Sequence, residues 1–430
     1  MKYRVAGLLL FFFLAAGALT AQSTEVKAGS LSTRGVWVSC FEYDEIGLAG
    51  KSEAEFRQNA NKLFYNIKAN GCNTVYFHVR SYDDAIYPSK VTGWSKRMTK
   101  GTVPSYDPLK ILISYAHKYG LEFHAWMNPY RVTQKKVLNP GDAKTTERIV
   151  SQVKEIINNY SVDGIHFDDY FYPTNEKKYN KVKKQERMKH VNTMVKKVYQ
   201  TVKNKKKGLK FGISPAGNIE YCEKIGADVK TWMSVKGYVD YIVPQIYWSD
   251  QYILNGKKTA LFKDTLAEWR SLNKRDIPMY IGLAAYKAGE NIKEDPGWKK
   301  KSSNLSNQLK QIQNGNSEGY VLFEYSDLYR SNAWKEIKNV LASISTIQIS
   351  RTKKTIRAGK KFKIKVISAT PARIVKGIRF RTSNKKIATV TAKGTVKAKK
   401  KGTVKITAYY GTRKKVCKVK VLPKKATKKK

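Results

Sequence analysis

The chain has 430 residues, 41% hydrophobic and 12% aromatic, which is material for two or three domains with real cores and excludes a disordered chain. Its net charge of +50 is lopsided: residues 351–430 carry 30 Lys or Arg and no Asp or Glu, while the rest holds 53 basic and 33 acidic side chains. Its four cysteines, Cys40, Cys72, Cys222 and Cys417, lack the short spacings of a metal knuckle or a dense disulfide framework and are expected to be buried thiols.

The N-terminus reads as a signal peptide over residues 1–21. Lys2 and Arg4 precede the apolar run Leu8–Leu14, and Ala16-Gly17-Ala18 is a small-x-small cleavage site, with Ala21 as a second. The apolar run is shorter than the ~20 residues that span a bilayer. No stable membrane span is therefore expected after cleavage, and an uncleaved anchor is the alternative. The expected location is secreted, in association with the cell wall.

From residue 34 to 345 short β-rich runs alternate with helical stretches. The strand candidates are Gly35–Phe41, Thr74–Arg80, Glu122–Asn128, Gly164–Tyr170, Lys210–Ala216, Tyr241–Tyr247, Pro278–Tyr286 and Gly319–Tyr325. The helix from Ser52 opens on a capping box, Ser52-Glu53-Ala54-Glu55. Another opens on Asp107-Pro108, an N-cap followed by proline at the first helical position, and stops at Gly120. Eight strand-then-helix units predict an α/β fold, a closed (β/α)8 TIM barrel. A doubly wound open sheet is the alternative, weakened by the absence of a Gly-x-Gly-x-x-Gly turn after the first strand. The long connections Ser81–Ser105 and Phe171–Lys181 fall on the face where barrel enzymes build their sites, as a lid or substrate wall.

Beyond residue 345 the texture changes. Apolar residues alternate with lysines over Lys361–Val366, Ile378–Arg381, Ile387–Thr391, Thr403–Tyr409 and Val416–Val421. One buried and one charged face predict a small all-β immunoglobulin-like sandwich over 346–423, with Cys417 inward and a basic tail at 424–430. Such a polycation attracts polyanions. For a secreted chain these are an anionic cell-wall polymer, lipid headgroups or acidic polysaccharide; nucleic acid belongs to another compartment and is not expected.

The sharpest chemistry lies in Asp163-Gly164-Ile165-His166-Phe167-Asp168-Asp169-Tyr170. If Ile165 and Phe167 face the helices, alternation aims His166, Asp168 and Tyr170 into the barrel mouth. Glycoside hydrolysis needs one protonated and one ionised carboxyl group, and two close carboxylates push one pKa upward. Helix capping or a loop salt bridge is the structural alternative. Asp168, Asp169 and, at the end of the eighth strand, Glu324 are the catalytic candidates. Other strand ends supply Arg80 with Asp84, His124 with Trp126, Asn128 and Arg131, and Gln245 with Tyr247 and Trp248. With Tyr170, these are aromatic platforms and polar groups suited to a polysaccharide substrate. His78, His124 and His166 fall on consecutive strands and are expected to form a hydrogen-bonded polar layer at one depth. No metal or cofactor is expected; a metal-dependent carbohydrate esterase or deacetylase using those histidines is the alternative, and a non-catalytic wall-binding lectin a third.

Several strings carry a family resemblance: Arg34-Gly35-Val36-Trp37-Val38, Thr74-Val75-Tyr76-Phe77-His78-Val79-Arg80, His124-Ala125-Trp126-Met127-Asn128-Pro129-Tyr130-Arg131, the Asp163–Tyr170 segment, Gly212-Ile213-Ser214-Pro215-Ala216-Gly217 and Pro244-Gln245-Ile246-Tyr247-Trp248. Over residues 34–340 the chain resembles the glycosyl hydrolase-like 10 family. The resemblance implies a barrel, an extracytoplasmic location and cleavage of peptidoglycan glycan strands stripped of their peptides. It also implies site roles for Arg80, Asp84, His124, Asn128, Arg131, Asp168, Asp169, Gln245 and Tyr247; Glu324 rests on its strand end alone. The segment Ser383-Asn384-Lys385-Lys386-Ile387-Ala388-Thr389-Val390 resembles a bacterial immunoglobulin-like group 2 repeat, a type of adhesion or spacer module.

Overall fold

The computed structural model describes residues 31–173, 179, 181–299, 303–313 and 318–424. The expected signal peptide, most of the basic tail and part of the 171–181 connection lie outside these residues. Eight parallel strands close into a barrel: β1 (Arg34–Val38), β2 (Thr74–Arg80), β3 (Glu122–Met127), β4 (Gly164–Phe167), β5 (Lys210–Ile213), β6 (Tyr241–Ile242), β7 (Met279–Ala284) and β8 (Glu318–Phe323). Each pairs with its sequence neighbours and β8 returns to β1, so the open sheet is excluded. Two helix starts form as their sequences dictate. In α1 (Glu53–Ala69) Ser52 and Glu55 complete a capping box, and in α2 (Pro108–Lys118) the Asp107 carboxylate accepts from the Lys110 N–H. No described helix is long and apolar enough to cross a membrane.

The barrel interior is aromatic. Trp37, Tyr76, Trp126, Tyr241, Val243, Tyr280 and Val321 form one buried cluster, separate from the larger core between strands and helices. Such wide rings fit because neighbouring strands offer glycine. A Cβ on Gly212 would stand 2.3 Å from the Tyr241 ring, and one on Gly164 2.5 Å from the His124 ring. A close-packed interior has no room for that atom.

The C-terminal domain is all-β. Its strands are β9 (Thr346–Ile349), β10 (Lys353–Arg357), β11 (Lys361–Lys363), β12 (Val366–Thr370), β13 (Arg379–Thr382), β14 (Ala388–Val390), β15 (Thr395–Ala398), β16 (Gly402–Tyr410) and β17 (Arg413–Leu422). They form sheets ordered β9-β12, β10-β17-β16-β13 and β11-β15-β14. Four strands, β9, β10, β12 and β15, were not among the sequence expectations. The run expected as one strand over Lys361–Val366 breaks because the chain changes partners: β11 pairs with β15, β12 with β9. Cys417 is fully buried, as alternation predicts, and all four cysteines are buried free thiols.

The two domains meet through side chains of opposite character. Arg373 donates to Asn70 Oδ1 at 2.5 Å and to the Leu328 carbonyl at 3.1 Å. Its guanidinium lies 4.3 Å from the Tyr329 ring centroid and 4.8 Å from that of Trp334. Pro371 seats against Gly71, and Arg413 Nε donates to the Ser345 carbonyl at 2.5 Å.

Candidate active site

A cleft of about 220 Å³ opens at the C-terminal ends of the strands, the face on which TIM-barrel enzymes build their sites. Its wall includes Trp37, Trp126, Tyr247, Tyr286 and Phe323, an aromatic lining, with Asp168, Asp169, Asn128, Arg131, Gln245 and Ser214 as polar groups.

Asp168 follows the last residue of β4 and, as alternation predicts, points inward; it is buried, 6% exposed. Its Oδ1 accepts from Gln245 Nε2 at 3.1 Å and from the backbone N–H of Asp169 at 2.9 Å. The same Gln245 amide donates to the Ser214 carbonyl at 3.0 Å, so β5 and β6 aim it at the carboxylate. Burial raises the Asp168 pKa, opposed by the Asp169 N–H, Gln245 and Arg131. Asp169 is held well above the usual carboxylate range, first by burial and then by the charge of Asp168. Both carboxyls thus hold a proton more tightly than an exposed aspartate does, and Asp168, with more donors, is the better site for the negative charge. Arg131 stacks on the exposed Tyr170, its guanidinium 3.6 Å from the ring centroid, and fixes the rim beside the pair.

Other expected site residues are not on the cleft wall. Arg80 is 1% exposed, and its guanidinium is held by Asp83 at 3.0 Å and by the Asn128 carbonyl. The cause is a register shift after His78: Arg80 pairs with Met127, which faces the helices, so simple alternation along β2 fails. The Asp84 carboxylate accepts from the Tyr82 N–H at 2.9 Å and the Ser81 N–H at 3.2 Å, closing a turn. The Trp248 ring packs where Gly217 leaves room for it. Glu324 is not among the cleft-lining residues; it faces the wall residue Ser39 and the buried Glu42, whose carboxylate accepts from the N–H groups of Ser39 and Ser326 at 2.7 and 2.6 Å.

The three histidines are not at one depth. His78 pairs in register with Trp126, and Trp126 with His166, whereas His124 pairs with Tyr76 and Gly164 one layer deeper. His124 lies below the cleft, bonded to Tyr241 Oη at 2.7 Å. His166 contacts Tyr241 Oη at 3.1 Å, Ser214 Oγ at 3.1 Å and the Trp37 indole N–H at 3.3 Å. His78 accepts from the Cys40 N–H at 3.4 Å and stacks on Trp126 with ring centroids 3.8 Å apart. Burial, then the charges of Arg80 and Arg131, drive its pKa well below the ordinary value, so it is neutral. Among the described residues no three His, Cys, Asp or Glu side chains are grouped to hold a metal ion.

Sequence reasoning did not single out Trp37, Phe41, Tyr82, Tyr286 or Phe323 on the wall, nor Glu42 beside Ser39. Phe41 and Tyr286 end two of the expected strands, so the rule that selected Tyr247 would also have selected them.

The family model described as glycosyl hydrolase-like 10 matches residues 32–136 and 130–300, and that of the bacterial Ig-like domain (group 2) matches 343–421. The chain is 32% identical over 327 residues to glycosyl hydrolase YngK of Bacillus subtilis, covering 62% of each protein. It is 30% identical over 347 residues to glycosyl hydrolase DigH of Escherichia coli K12, covering 63% of this chain and 77% of that one. In fold it is similar to the glycoside hydrolase domain of PgaB (BpsB) from Bordetella bronchiseptica, at a TM-score of 0.50 and 10% identity, over 71% of this chain and 98% of that one.

Proposed function

Because the chain belongs to the glycosyl hydrolase-like 10 family, we propose that it is a glycoside hydrolase that cleaves a polysaccharide in the barrel cleft. The observation that carries this reading is the Asp168–Asp169 pair, two adjacent carboxyls on the wall of an aromatic cleft, both with raised proton affinity. Asp169 is the proton donor to the departing glycosidic oxygen. Asp168, ionised and oriented by Gln245, stabilises the positive charge that develops on the sugar ring in an oxocarbenium-like transition state. The aromatic wall stacks on apolar sugar faces, and Asn128 and Arg131 bind hydroxyl or anionic substituents.

The substrate in this reading is the peptidoglycan glycan strand freed of its peptides, reached outside the cytoplasm after removal of residues 1–21. The basic C-terminal domain retains the enzyme on anionic wall polymer. Purified denuded glycan strands incubated with the enzyme and resolved by mass spectrometry test the substrate: shortened oligosaccharides support it, and intact strands overturn it.

A further inference from the structure

The charge of the C-terminal domain is not all on its loops; the strand register sets five of the 30 cations of residues 351–430 together on one sheet face. In the sheet β10-β17-β16-β13, Lys353 pairs with Lys418, and Lys418 with Lys405, so three lysines lie side by side across three strands. The next row is Thr355, Lys420 and Thr403, another lysine flanked by hydroxyls. Arg381 pairs with Thr407 on the same face. Strands lie ~4.8 Å apart and same-face residues repeat every ~6.7 Å along a strand, so the cations form a grid. Like charges directly opposite one another destabilise a strand pair. Residues 351–430 contain no acidic side chain that could pair with them. A fold does not need this arrangement; a multivalent anion does.

We propose that the outer face of this sheet is a binding platform for a linear phosphodiester polymer. The proposal rests on the wall-retention reading above and gives it a surface and a chemistry. Twenty-four of the 30 cations in residues 351–430 are lysines. Lysine is a compact, mobile point charge, so rows of lysines suit single anionic oxygens repeated along a chain, whereas arginine's planar fork suits bidentate recognition of carboxylate or phosphate. The interleaved threonine hydroxyls can donate to oxygens between the charges. Single-stranded nucleic acid fits poorly, because its binding uses exposed aromatic stacking platforms. Here Tyr409 is partly buried and lies 5.2 Å from the Arg381 guanidinium. A bilayer also fits poorly, since the face carries no large exposed apolar side chain; those of the domain, Ile367 and Val375, lie off this sheet.

The test uses the full chain and three probes at low salt: poly(glycerol phosphate), polygalacturonate and phosphatidylglycerol vesicles. The row variant carries Lys353→Gln, Lys405→Gln and Lys418→Gln. An equal-charge control carries Lys361→Gln, Lys363→Gln and Lys397→Gln on the smaller sheet. The expected result is tightest binding to poly(glycerol phosphate), about tenfold or greater loss in the row variant, and a salt slope lower by about 2 for three lost phosphate contacts. The control loses less than about threefold. The row variant should melt no lower than the parent, which separates lost binding from lost folding. Equal loss in both variants, or stronger binding to polygalacturonate or vesicles, overturns the platform while leaving wall retention standing. A parent chain that binds none of the three overturns the retention reading itself.

Discussion

The barrel and the C-terminal domain handle charge in opposite ways. In the barrel, the acidic side chains find cationic partners at several points: Arg270 meets Glu318 at 2.8 Å, Lys210 meets Glu122 at 2.9 Å, and Arg330 meets Asp327 at 2.7 Å. Two of its carboxyls without a salt-bridge partner among the described residues, Asp168 and Asp169, lie on the cleft wall, where a raised proton affinity is chemically useful. The C-terminal domain holds no Asp, Glu or His after residue 345, so its cations have no acidic partner within the domain. In the proposed reading, the barrel therefore carries a reaction that titrates, and the second domain an attraction that acidic groups do not modulate.

The largest expected effect comes from breaking the titrating half. Asp168→Asn should lower turnover on glycan strands by about two orders of magnitude or more, the scale of losing a charged catalytic carboxyl, with the fold retained. Asp169→Asn should be the next most damaging, and Glu324→Gln, off the cleft wall, the mildest of the three. Binding of poly(glycerol phosphate) should be unchanged in all three. Full turnover in Asp168→Asn would remove that residue from the mechanism.

The contrast also appears in pH profiles. The folded-state pKa values of Asp168 and Asp169 are raised, so over the window from the ordinary aspartate value near 3.8 up to those raised values the native state holds a proton that the unfolded chain releases. Stability from this pair is therefore lost as pH rises through that window, and below it the pair contributes no pH dependence. Asp168→Asn should flatten that decline in a series of thermal melts, and turnover of the parent should fall on the alkaline side as Asp169 loses its proton. Polymer binding should stay level across the same range. A binding curve that follows the turnover curve would show that one set of groups governs both.

A smaller effect tests how firmly the halves are joined. Arg373→Ala removes two hydrogen bonds and contacts with two aromatic rings, worth about 1–3 kcal/mol together. Calorimetry should show a lower or split transition, with turnover on short soluble glycans within about twofold of the parent. Removing residues 346–430 should likewise spare short soluble glycans and weaken retention on wall sacculi. Equal recovery of full-length and truncated protein on sacculi at low salt would make the domain a spacer.

How far this was legible from sequence follows from what each signal measures. Periodicity reports burial, and the barrel strands are buried on both sides, so all eight stood out as apolar runs between Gly, Pro and Asn punctuation. Strand β10, with the pattern Lys-Lys-Thr-Ile-Arg, buries little and was invisible. Alternation placed Asp168, Trp126 and Gln245 on the cleft wall, because the chain keeps its alternation in β3 and just past the ends of β4 and β6, where Gln245 bridges Ala216 and Gly282. It misplaced Arg80, because a one-residue register shift reverses facing and leaves no mark in composition. It placed His124 on the correct face but at the wrong depth, since depth depends on the stagger between neighbouring strands. Glu42 was out of reach, because its partners Ser39 and Ser326 come from opposite ends of the chain.

The smallest expected effect is none at all. If the histidines served as a metal site, exhaustive chelation would abolish activity and zinc would restore it. The geometry gives them another use. Both nitrogens of His166 are engaged, by Tyr241 on one side and by Ser214 and Trp37 on the other. His124 is one layer too deep to converge with His78, and it braces Tyr241 from beneath. Together they orient the aromatic rings that underlie the cleft. Turnover should therefore be unchanged after chelation, whereas His166→Ala, which takes from the buried Trp37 indole N–H its His166 acceptor and removes one partner each from Tyr241 and Ser214, should cost about 1–3 kcal/mol of stability in a denaturant titration. Loss of activity on chelation, with recovery on added zinc, would return the three histidines to the role of ligands and the barrel to the chemistry of a metal-dependent esterase.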